Sequence, residues 1–424
     1  MYGRTYLCID LKSFYASVEC VERGLDPMKA NLVVADPDRS KGTICLAISP
    51  AMKALGVRNR CRVYEIPQNI EYITAPPRMQ KYIDYAARIY EVYRKYIHKD
   101  DIYVYSIDEV FIDVTEYLSC YNKTPKEMAV ILMEEVLKYV GVRAACGIGT
   151  NMYLAKVALD ITAKHSPDFI GILNEESYRR TLWQHQPITD FWRIGRGTAG
   201  RLARYGIHTM EDIALAKEEL LYKAFGIDAE LLIDHAWGRE PVAIADIKSY
   251  TPQSTSISRG QVLLRDYTAD EGRLILREML DLMCLDLVEQ NSVTGSVCIY
   301  IGYSHTCGAP SARGSTSLCI ETSSDKIIIP AVLKVYDRII DSNLPIRRIN
   351  ISFNNLTENS SSVQLSFFEE ADSDKLERCL SIQQAVLSIK KRYGKNAVLK
   401  GMNFLEGATT RERNDQIGGH KRGA

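Results

Sequence analysis

The residues with the clearest capacity for chemistry are three carboxylates at the ends of two predicted strands. The segment Tyr103–Thr115, YVYSIDEVFIDVT, predicts two short strands with the adjacent Asp108 and Glu109 at the turn between them. Near the N-terminus, the apolar strand Tyr6–Asp10 ends in a third carboxylate. Negative charges are costly to hold together unless they share a cation. If the two strands are neighbours in one sheet, they predict a site for hard divalent cations, typically magnesium.

Two aromatic residues follow the first carboxylate at the start of a predicted helix. Phe14 is at least as well explained as a core residue as by a role in ligand binding. Tyr15 falls five residues after Asp10, which places it beside whatever the metal binds. A local basic cluster follows at Lys53, Arg58, Arg60 and Arg62. It is either a solvated face or, beside a carboxylate–metal site, a place to hold phosphates.

Length and composition limit the class of protein. A chain of 424 residues exceeds one ordinary core, so two to four domains are expected. Its 53 basic and 53 acidic residues balance, so any nucleic-acid-binding surface must be local. The 11 cysteines are scattered singly, and the sequence shows no signal peptide, which favours reduced thiols in the cytoplasm. No apolar run approaches the roughly 20 residues of a membrane span.

The order of predicted elements suggests how the carboxylates meet. From Met1 to His165, apart from an α/β insert at 31–75, the order is strand–helix–strand–strand–helix–strand–helix. This is close to the ferredoxin-like pattern, in which the first and third strands are neighbours. From about Gly171 the pattern turns helical, and after a linker-like stretch at 242–253 a second β-α-β-β-α-β unit follows.

Two further motifs suggest contacts with phosphates or partners. Ile194, Gly195, Arg196 and Gly197 form a Gly-x-Gly turn before a helix that carries Arg201, and such a turn can present backbone N–H groups to a phosphate. After the polar stretch 354–362 comes a short apolar peptide at 364–368, then one predicted helix at 374–393. The last residues, 418–423, have no core-forming content and are predicted to be mobile.

Four motifs in sequence order resemble those of the Y-family DNA polymerases, the translesion enzymes of the UmuC/DinB type. They are IDLKSFYASVE, SIDEVFIDVT, GIGTNMYLAK and IGRG, and the resemblance covers roughly Met1 to Leu356. The segment AMKALGV and the closing block LEGATTRERNDQIGGHK are nearest the Gram-positive UmuC-like branch. The resemblance implies an α+β multidomain, right-hand polymerase with a ferredoxin-like palm, small fingers, a helical thumb with a helix-hairpin-helix, an α/β little finger and a flexible C-terminal tail.

The resemblance also implies domain boundaries. The expected division is palm, 1–20 and 76–168; fingers, 21–75; thumb, 169–241; linker, 242–253; little finger, 254–356; and C-terminal tail with a clamp-binding peptide, 357–424.

By the same resemblance, Asp10, Asp108 and Glu109 are expected to hold two Mg²⁺ ions, with Mn²⁺ as a substitute and the Leu11 backbone carbonyl as a further ligand. One metal would lower the pKa of the primer 3′-hydroxyl, and the other would neutralise the triphosphate and the leaving pyrophosphate. Tyr15 matches the steric gate that excludes a ribose 2′-hydroxyl.

Other residues match the family's nucleotide-binding positions. Phe14 would pack under the incoming sugar, and Lys156 matches the palm lysine that reaches the triphosphate. The family's fingers often supply a Tyr and an Arg, where this chain has Pro50 and Lys53. Lys53 can act as a point charge, but it lacks the bidentate geometry of arginine.

The resemblance implies contacts with DNA and with a sliding clamp. The turn Ile194–Gly197 with Arg201 matches a helix-hairpin-helix that grips the DNA backbone without reading sequence. The clamp-binding peptide would be Gln364, Leu365, Phe367 and Phe368, with Phe367 in place of the usual Leu. The alternative, an apolar piece of linker, is less favoured because the peptide follows the last domain in polar surroundings. The remaining length offers no exonuclease domain, so synthesis without proofreading is expected.

The expected function is low-fidelity translesion DNA synthesis by two-metal deoxynucleotidyl transfer in the SOS damage response. The expected partners are primer-template DNA, deoxynucleoside triphosphates, the bacterial β sliding clamp, and RecA or other damage-response proteins, with no membrane. A catalytically silent DNA- and clamp-binding scaffold is one alternative, although it would not need Asp10, Asp108, Glu109 and Lys156 together. A nucleotidyl cyclase shares the palm but would need no thumb, little finger or clamp peptide.

Overall fold

The computed structural model describes residues 3–39, 42–251, 255–359 and 370–423. The chain forms two compact units, Met1–Thr251 with His420–Ala424, and Pro252–Gly419. The predicted clamp-binding peptide, 364–368, lies outside the described residues. None of the described helices is long and apolar enough to cross a membrane.

The first unit contains two sheets and a helical region. Its strands are β1 (Tyr6–Leu11), β2 (Leu32–Val34), β3 (Ala47–Ile48), β4 (Ile73–Ala75), β5 (Ile102–Val104), β6 (Glu109–Asp113), β7 (Ala144–Gly149) and β8 (Ile170–Leu173). Its helices are α1 (Phe14–Val21), α2 (Pro50–Ala54), α3 (Met79–Arg94), α4 (Thr115–Tyr121), α5 (Pro125–Val140), α6 (Met152–Val157), α7 (Glu175–Leu182), α8 (Arg196–Ala203), α9 (Met210–Leu215), α10 (Glu218–Phe225), α11 (Asp228–Ala236) and α12 (Ile244–Ser249).

The five-stranded sheet of the first unit, called the first sheet below, has the order β5-β6-β1-β7-β8. Strand β1 runs antiparallel to both of its neighbours, β6 and β7. Its side chains are buried almost throughout, as expected for a central strand covered on both faces. The predicted pairing of the first and third strands is confirmed. The parallel strand β8 extends this sheet past residue 168, the end of the predicted palm.

The insert and the helical region follow their local sequence signals. Strands β3-β2-β4 form a separate small sheet. Ser49 caps α2, because its side chain accepts a hydrogen bond from the Met52 N–H and Pro50 occupies the first turn. The segment predicted as linker, 242–253, contains helix α12 instead of irregular chain. Ile244 is buried beside Tyr6 and Phe111, so apolar packing fixes this helix to the first unit.

The second unit is a four-stranded antiparallel sheet covered by helices on one face. It contains β9 (Ser256–Tyr267), α13 (Ala269–Glu289), β10 (Ser292–Tyr303), β11 (Ala312–Thr322), α14 (Asp325–Ile339), β12 (Ile346–Glu358), α15 (Glu370–Tyr393) and α16 (Thr410–Asn414). A short hairpin of β13 (Gln416–Ile417) and β14 (His420–Lys421) closes the chain.

The sheet of the second unit, called the second sheet, has the order β11-β10-β12-β9. Its burial alternates along each strand, which is the pattern of a sheet with one covered face. Val297, Ile299 and Ile301 point into the core, together with residues from α13 and α14. The sequence-based prediction of β-α-β-β-α-β for this unit is confirmed.

The prediction of a flexible C-terminal tail is wrong for most of its described residues. Helix α15 confirms the helix predicted at 374–393. Beyond it, the backbone N–H of Thr409 and the side chain of Asn403 donate to the buried Glu278, each at 2.8 Å. The last residues of the chain belong to the first unit, in which Lys421 Nζ lies 3.1 Å from Asp36 Oδ1. Polar and ionic contacts order this segment, and hydrophobic content alone could not reveal them.

Candidate active site

The three predicted carboxylates lie at one end of the first sheet. Asp10 on β1 is the register partner of Glu109, the first residue of β6. Asp108 lies in the turn before β6, where its carbonyl oxygen accepts the Leu11 N–H at 2.9 Å. The Ser106 hydroxyl donates to Asp108 Oδ1 at 2.6 Å. The strand pairing therefore brings together the ends that carry the acidic residues.

Asp10 is the least compensated of these carboxylates. In the described part of the chain, no hydrogen bond or salt bridge is found at its side chain. Burial, followed by repulsion from Asp108 and Glu109, raises the pKa of Asp10 from 3.8 to about 7. Burial and the two neighbouring carboxylates therefore disfavour the ionised form of Asp10, and a bound cation would favour that form.

Glu109, in contrast, is already engaged. It is 8% exposed. Its Oε1 accepts a hydrogen bond from the Cys8 thiol at 3.1 Å, and its Oε2 lies 2.9 Å from Lys156 Nζ. Lys156 also contacts Asp160 Oδ2 at 3.0 Å. Burial lowers the pKa of Lys156, but the acidic groups around it outweigh that effect and raise it, so the lysine is held in its charged form.

Two glycines allow helix α6 to bring Lys156 to the sheet. A Cβ atom at Gly147 would lie 2.0 Å from the Ala155 carbonyl oxygen, and one at Gly149 would lie 2.2 Å from the Ala155 nitrogen. Only glycine permits this approach of strand β7 and the helix. The Asn151 side chain caps α6 by accepting the Leu154 N–H at 2.8 Å. A π-helical turn, Ala158–Thr162, continues α6 and carries Asp160, the second partner of Lys156; such turns are frequent at functional sites.

The two aromatic residues after Asp10 have different environments. Phe14 is 3% exposed and is part of the core, although it is adjacent to Tyr15. Tyr15 stacks on Tyr82 with ring centroids 4.4 Å apart, and the Tyr82 hydroxyl donates to the buried Glu19 at 2.8 Å. Burial, and then the Asp108 charge, raise the pKa of Tyr15. The Tyr15 ring is thus fixed close to Asp108.

Cationic side chains also lie near Asp10. Burial lowers the pKa of Lys53, while the negative charge of Asp10 acts in the opposite direction. Lys12, which sequence reasoning missed, lies over the Phe169 ring, with Nζ 3.3 Å from the centroid. Burial and then repulsion from Lys53 lower its pKa, whereas Asp10 raises it. Its position two residues after Asp10 is the sequence feature from which its place near the site could have been predicted. Arg62 does not join this group, because it donates to the Gly42 carbonyl instead.

The donor set suits magnesium, although the side chains do not form a closed cage. Within the described residues, no group of three or more His, Cys, Asp or Glu side chains is arranged to hold a metal ion. Mg²⁺ commonly binds one or two carboxylates and takes its remaining ligands from water and substrate phosphates. The oxygen donors Asp10 and Asp108, with the uncompensated charge at Asp10, fit such an ion.

The predicted helix-hairpin-helix residues lie on the helical region of the first unit. Ile194 is buried, Gly195 is the N-cap of α8, and Arg196 and Gly197 are exposed. Gly195 has no side chain that could cap this helix, and the first residues of the helix are exposed. Arg201 donates to the Ala224 carbonyl at 3.2 Å and lies over the Phe225 ring, so it has a structural role in addition to any contact with DNA.

Comparison with known proteins gives the family. The impB/mucB/samB family model matches residues 9–160, and the model of its C-terminal domain matches residues 254–367. The chain is 30% identical over 421 residues to the "Putative UV-damage repair protein UvrX" of Bacillus subtilis (strain 168), covering 99% of this chain and 98% of the relative. The chain belongs to the Y family of UmuC/DinB-type DNA polymerases. It is a DNA-directed DNA polymerase.

Other Y-family relatives and a solved structure agree with this assignment. The chain is 29% identical to DNA polymerase IV 2 of Halalkalibacterium halodurans, with 97% of this chain and 98% of the relative covered. It is 28% identical to DNA polymerase IV 2 of Bacillus subtilis (strain 168), with 99% of each covered. A Y-family DNA polymerase chimera of known structure matches with a TM-score of 0.65 at 20% identity, over 84% of this chain and 100% of that one. This last likeness supports the fold.

Proposed function

We propose that this Y-family polymerase performs low-fidelity translesion synthesis by two-metal deoxynucleotidyl transfer in the bacterial cytoplasm. The observation that carries the proposal is the pairing of Asp10 with Glu109 beside Asp108, where burial and then repulsion from the two neighbouring carboxylates raise the pKa of Asp10 to about 7. Magnesium ions there would activate the primer 3′-hydroxyl and neutralise the triphosphate. Asp10, Asp108, Glu109 and the Leu11 carbonyl would hold them, with Mn²⁺ as a substitute.

The surrounding residues would bind the incoming nucleotide. Lys53 and Lys156 would contact the triphosphate as point charges, joined by Lys12 from the end of β1. Tyr15 would act as the steric gate, because its stacking on Tyr82 leaves the ring little freedom to yield to a 2′-hydroxyl. Phe14 would support the sugar from below through its packing.

DNA would be held by exposed backbone and basic side chains in both units. At the start of α8, the exposed N–H groups around Gly195 and Gly197 offer contacts to a phosphate without reading sequence. The open face of the second sheet carries Arg313 opposite Tyr300 and, further along, Arg348 opposite Val262. We assign the palm, fingers and thumb to the first unit and the little finger to the second.

The damage-response role and the protein partners rest on sequence. One of the Bacillus subtilis relatives bears the name "Putative UV-damage repair protein UvrX". Residues 364–368 would bind the β sliding clamp, which would compensate for weak intrinsic processivity. RecA or another damage-response protein would be a further partner in the SOS response.

Primer extension by the purified chain tests this function. We expect extension with Mg²⁺ on an undamaged template and on one with an abasic site, and none from the Asp108→Ala variant. A scaffold would bind primed DNA and extend nothing even with the clamp added, whereas a cyclase would consume triphosphate without DNA. If the chain extends primers only with the clamp, the polymerase assignment stands and the partner is required.

A further inference from the structure

Glu109 presents a contradiction within the proposed function. Both oxygens of Glu109 accept hydrogen bonds, from the Cys8 thiol at 3.1 Å and from Lys156 at 2.9 Å, and within the described residues Asp10, Asp108 and Glu109 are not arranged to hold a metal ion together. The proposed function also requires Lys156 to contact the triphosphate. A site made by all three carboxylates therefore requires the Glu109 side chain to reorient, and the contact between Lys156 and the triphosphate would draw the lysine away from Glu109.

We propose that Cys8 is a positioning residue, which together with Lys156 holds Glu109 in a retracted position away from the metal-binding position. This inference rests on the proposed polymerase function and adds a residue that the family motifs do not include. Release of Glu109 would accompany the transfer of Lys156 to the triphosphate, so that the metal site is completed when the nucleotide arrives.

The location of Cys8 supports this role. It lies on β1 two residues before Asp10, so both side chains project from the same face of the strand. The thiol is completely buried, and its hydrogen bond to the carboxylate also lies in the interior. A hydrogen bond to a charged acceptor in such surroundings is stronger than one in water. Packing alone would be served equally well by an apolar residue.

Asp160, the second partner of Lys156, lowers the electrostatic cost of releasing Glu109. Asp160 lies one helical turn beyond Lys156, with Oδ2 3.0 Å from Nζ, and its side chain is 29% exposed against 10% for Glu109. When Lys156 leaves Glu109, Asp160 can still balance the lysine charge. Without it, a buried ammonium group would have to move unpaired.

A neighbouring cysteine provides a matched control. Cys146 on β7 is also fully buried, and its residue pairs with Ile9 of β1. Its sulfur lies 3.7 Å from the Gly147 carbonyl oxygen, and no hydrogen bond to a carboxylate is found for it among the described residues. Replacing either cysteine by alanine removes the same volume from the first sheet. Only Cys8→Ala also removes a hydrogen bond to Glu109.

The test is Mn²⁺ binding, measured by electron paramagnetic resonance on the full chain without DNA or nucleotide. Cys8→Ala should bind Mn²⁺ about fivefold more tightly than the parent, because one hydrogen bond that restrains Glu109 is lost. Cys8→Ser restores a donor and should return affinity to within twofold of the parent, and Cys146→Ala should match the parent. Equal or weaker binding by Cys8→Ala would overturn the proposal.

A companion measurement separates this inference from the proposed function. In primer extension, the Mg²⁺ concentration for half-maximal rate should fall by a similar factor in Cys8→Ala and stay unchanged in Cys146→Ala. If the parent extends primers but both alanine variants behave alike in both assays, only the role of Cys8 is wrong. If the parent extends nothing with or without clamp while Cys8→Ala binds Mn²⁺ more tightly, the role of Cys8 stands and the polymerase proposal fails.

Discussion

The first and second sheets share an element order but differ in the strand that occupies the centre. In the first sheet, β1 lies between β6 and β7, so the end of the first strand meets the β5–β6 turn. In the second sheet the first strand, β9, lies at the edge, and within the described residues its one partner strand is β12. The same β-α-β-β-α-β pattern therefore gathers three carboxylates in one unit and cannot do so in the other.

Asp10 in the first unit and Glu278 in the second are compensated to opposite degrees. Asp10 in the first unit has unrelieved charge and a raised pKa. Glu278 in the second unit is 2% exposed, but it accepts hydrogen bonds from the Asn403 side chain and the Thr409 and Thr410 N–H groups. The first arrangement leaves capacity for a ligand, whereas the second uses up that capacity to fix a segment of the chain.

The largest expected effect comes from adding one methyl group to the first sheet. In Gly147→Ala the new Cβ would meet the Ala155 carbonyl at 2.0 Å, so helix α6 must move, at a cost of about 5 kcal/mol or more. Gly295→Ala in the second sheet meets only ordinary contacts near 3.6 Å and should cost less than about 1 kcal/mol.

Spectroscopy can distinguish these two variants. All three tryptophans lie in the first unit, at Trp183, Trp192 and Trp237, so urea unfolding followed by their fluorescence reports on that unit. The midpoint should fall sharply for Gly147→Ala and remain near the parent for Gly295→Ala. Similar midpoints for the two would show that the close approach of β7 and α6 is not a constraint.

The next effect concerns the charge at Asp10. Because the folded-state pKa, about 7, exceeds the ordinary value of 3.8, the folded chain binds more protons between these values. The free energy of unfolding of the first unit should therefore decrease as pH rises through this range, by roughly 4 kcal/mol at 1.36 kcal/mol per pKa unit. Asp10→Asn should remove this contribution.

The measurement is tryptophan-monitored urea unfolding in EDTA at pH 4.5, 6 and 8 for the parent and for Asp10→Asn. The difference between the two proteins should grow in favour of the variant as pH rises. Adding Mg²⁺ should reduce that difference at pH 8, because a bound cation stabilises the ionised form. A pH-independent difference would show that folding does not raise the pKa of Asp10.

Helices and strands were predicted well from the sequence, whereas side-chain contacts and the strand order of the second sheet were not. The apolar strand that leads to Asp10 and the strand that follows the turn at Asp108 and Glu109, with family motifs around them, were sufficient to predict the pairing of β1 and β6. The contact between Cys8 and Glu109 was missed, since it depends on strand register and on which face of β1 is covered by α6. Strand order in the second sheet was equally inaccessible, because both topologies satisfy the same hydrophobic pattern.

The C-terminal segment shows the same limit and provides the last prediction. Its apolar content is low, and its attachment instead depends on Glu278, a carboxylate more than 100 residues away in the sequence. Glu278→Gln keeps the size of the side chain but removes the charge and one acceptor oxygen. We expect the contact with Thr409 and Thr410 to weaken by about 2–3 kcal/mol.

Hydrogen exchange of the peptide containing Thr409 and Thr410 reads this contact directly, since both backbone N–H groups are donors to Glu278. Protection should fall roughly 30- to 140-fold in Glu278→Gln, at about tenfold per 1.4 kcal/mol. Asp337→Asn is the control, because it removes an exposed ion pair with Arg273 in the same unit, and it should leave this peptide unchanged. Retained protection in Glu278→Gln would mean that other contacts hold the segment. Glu278 would then have no structural role to set against the ligand-binding role proposed for Asp10.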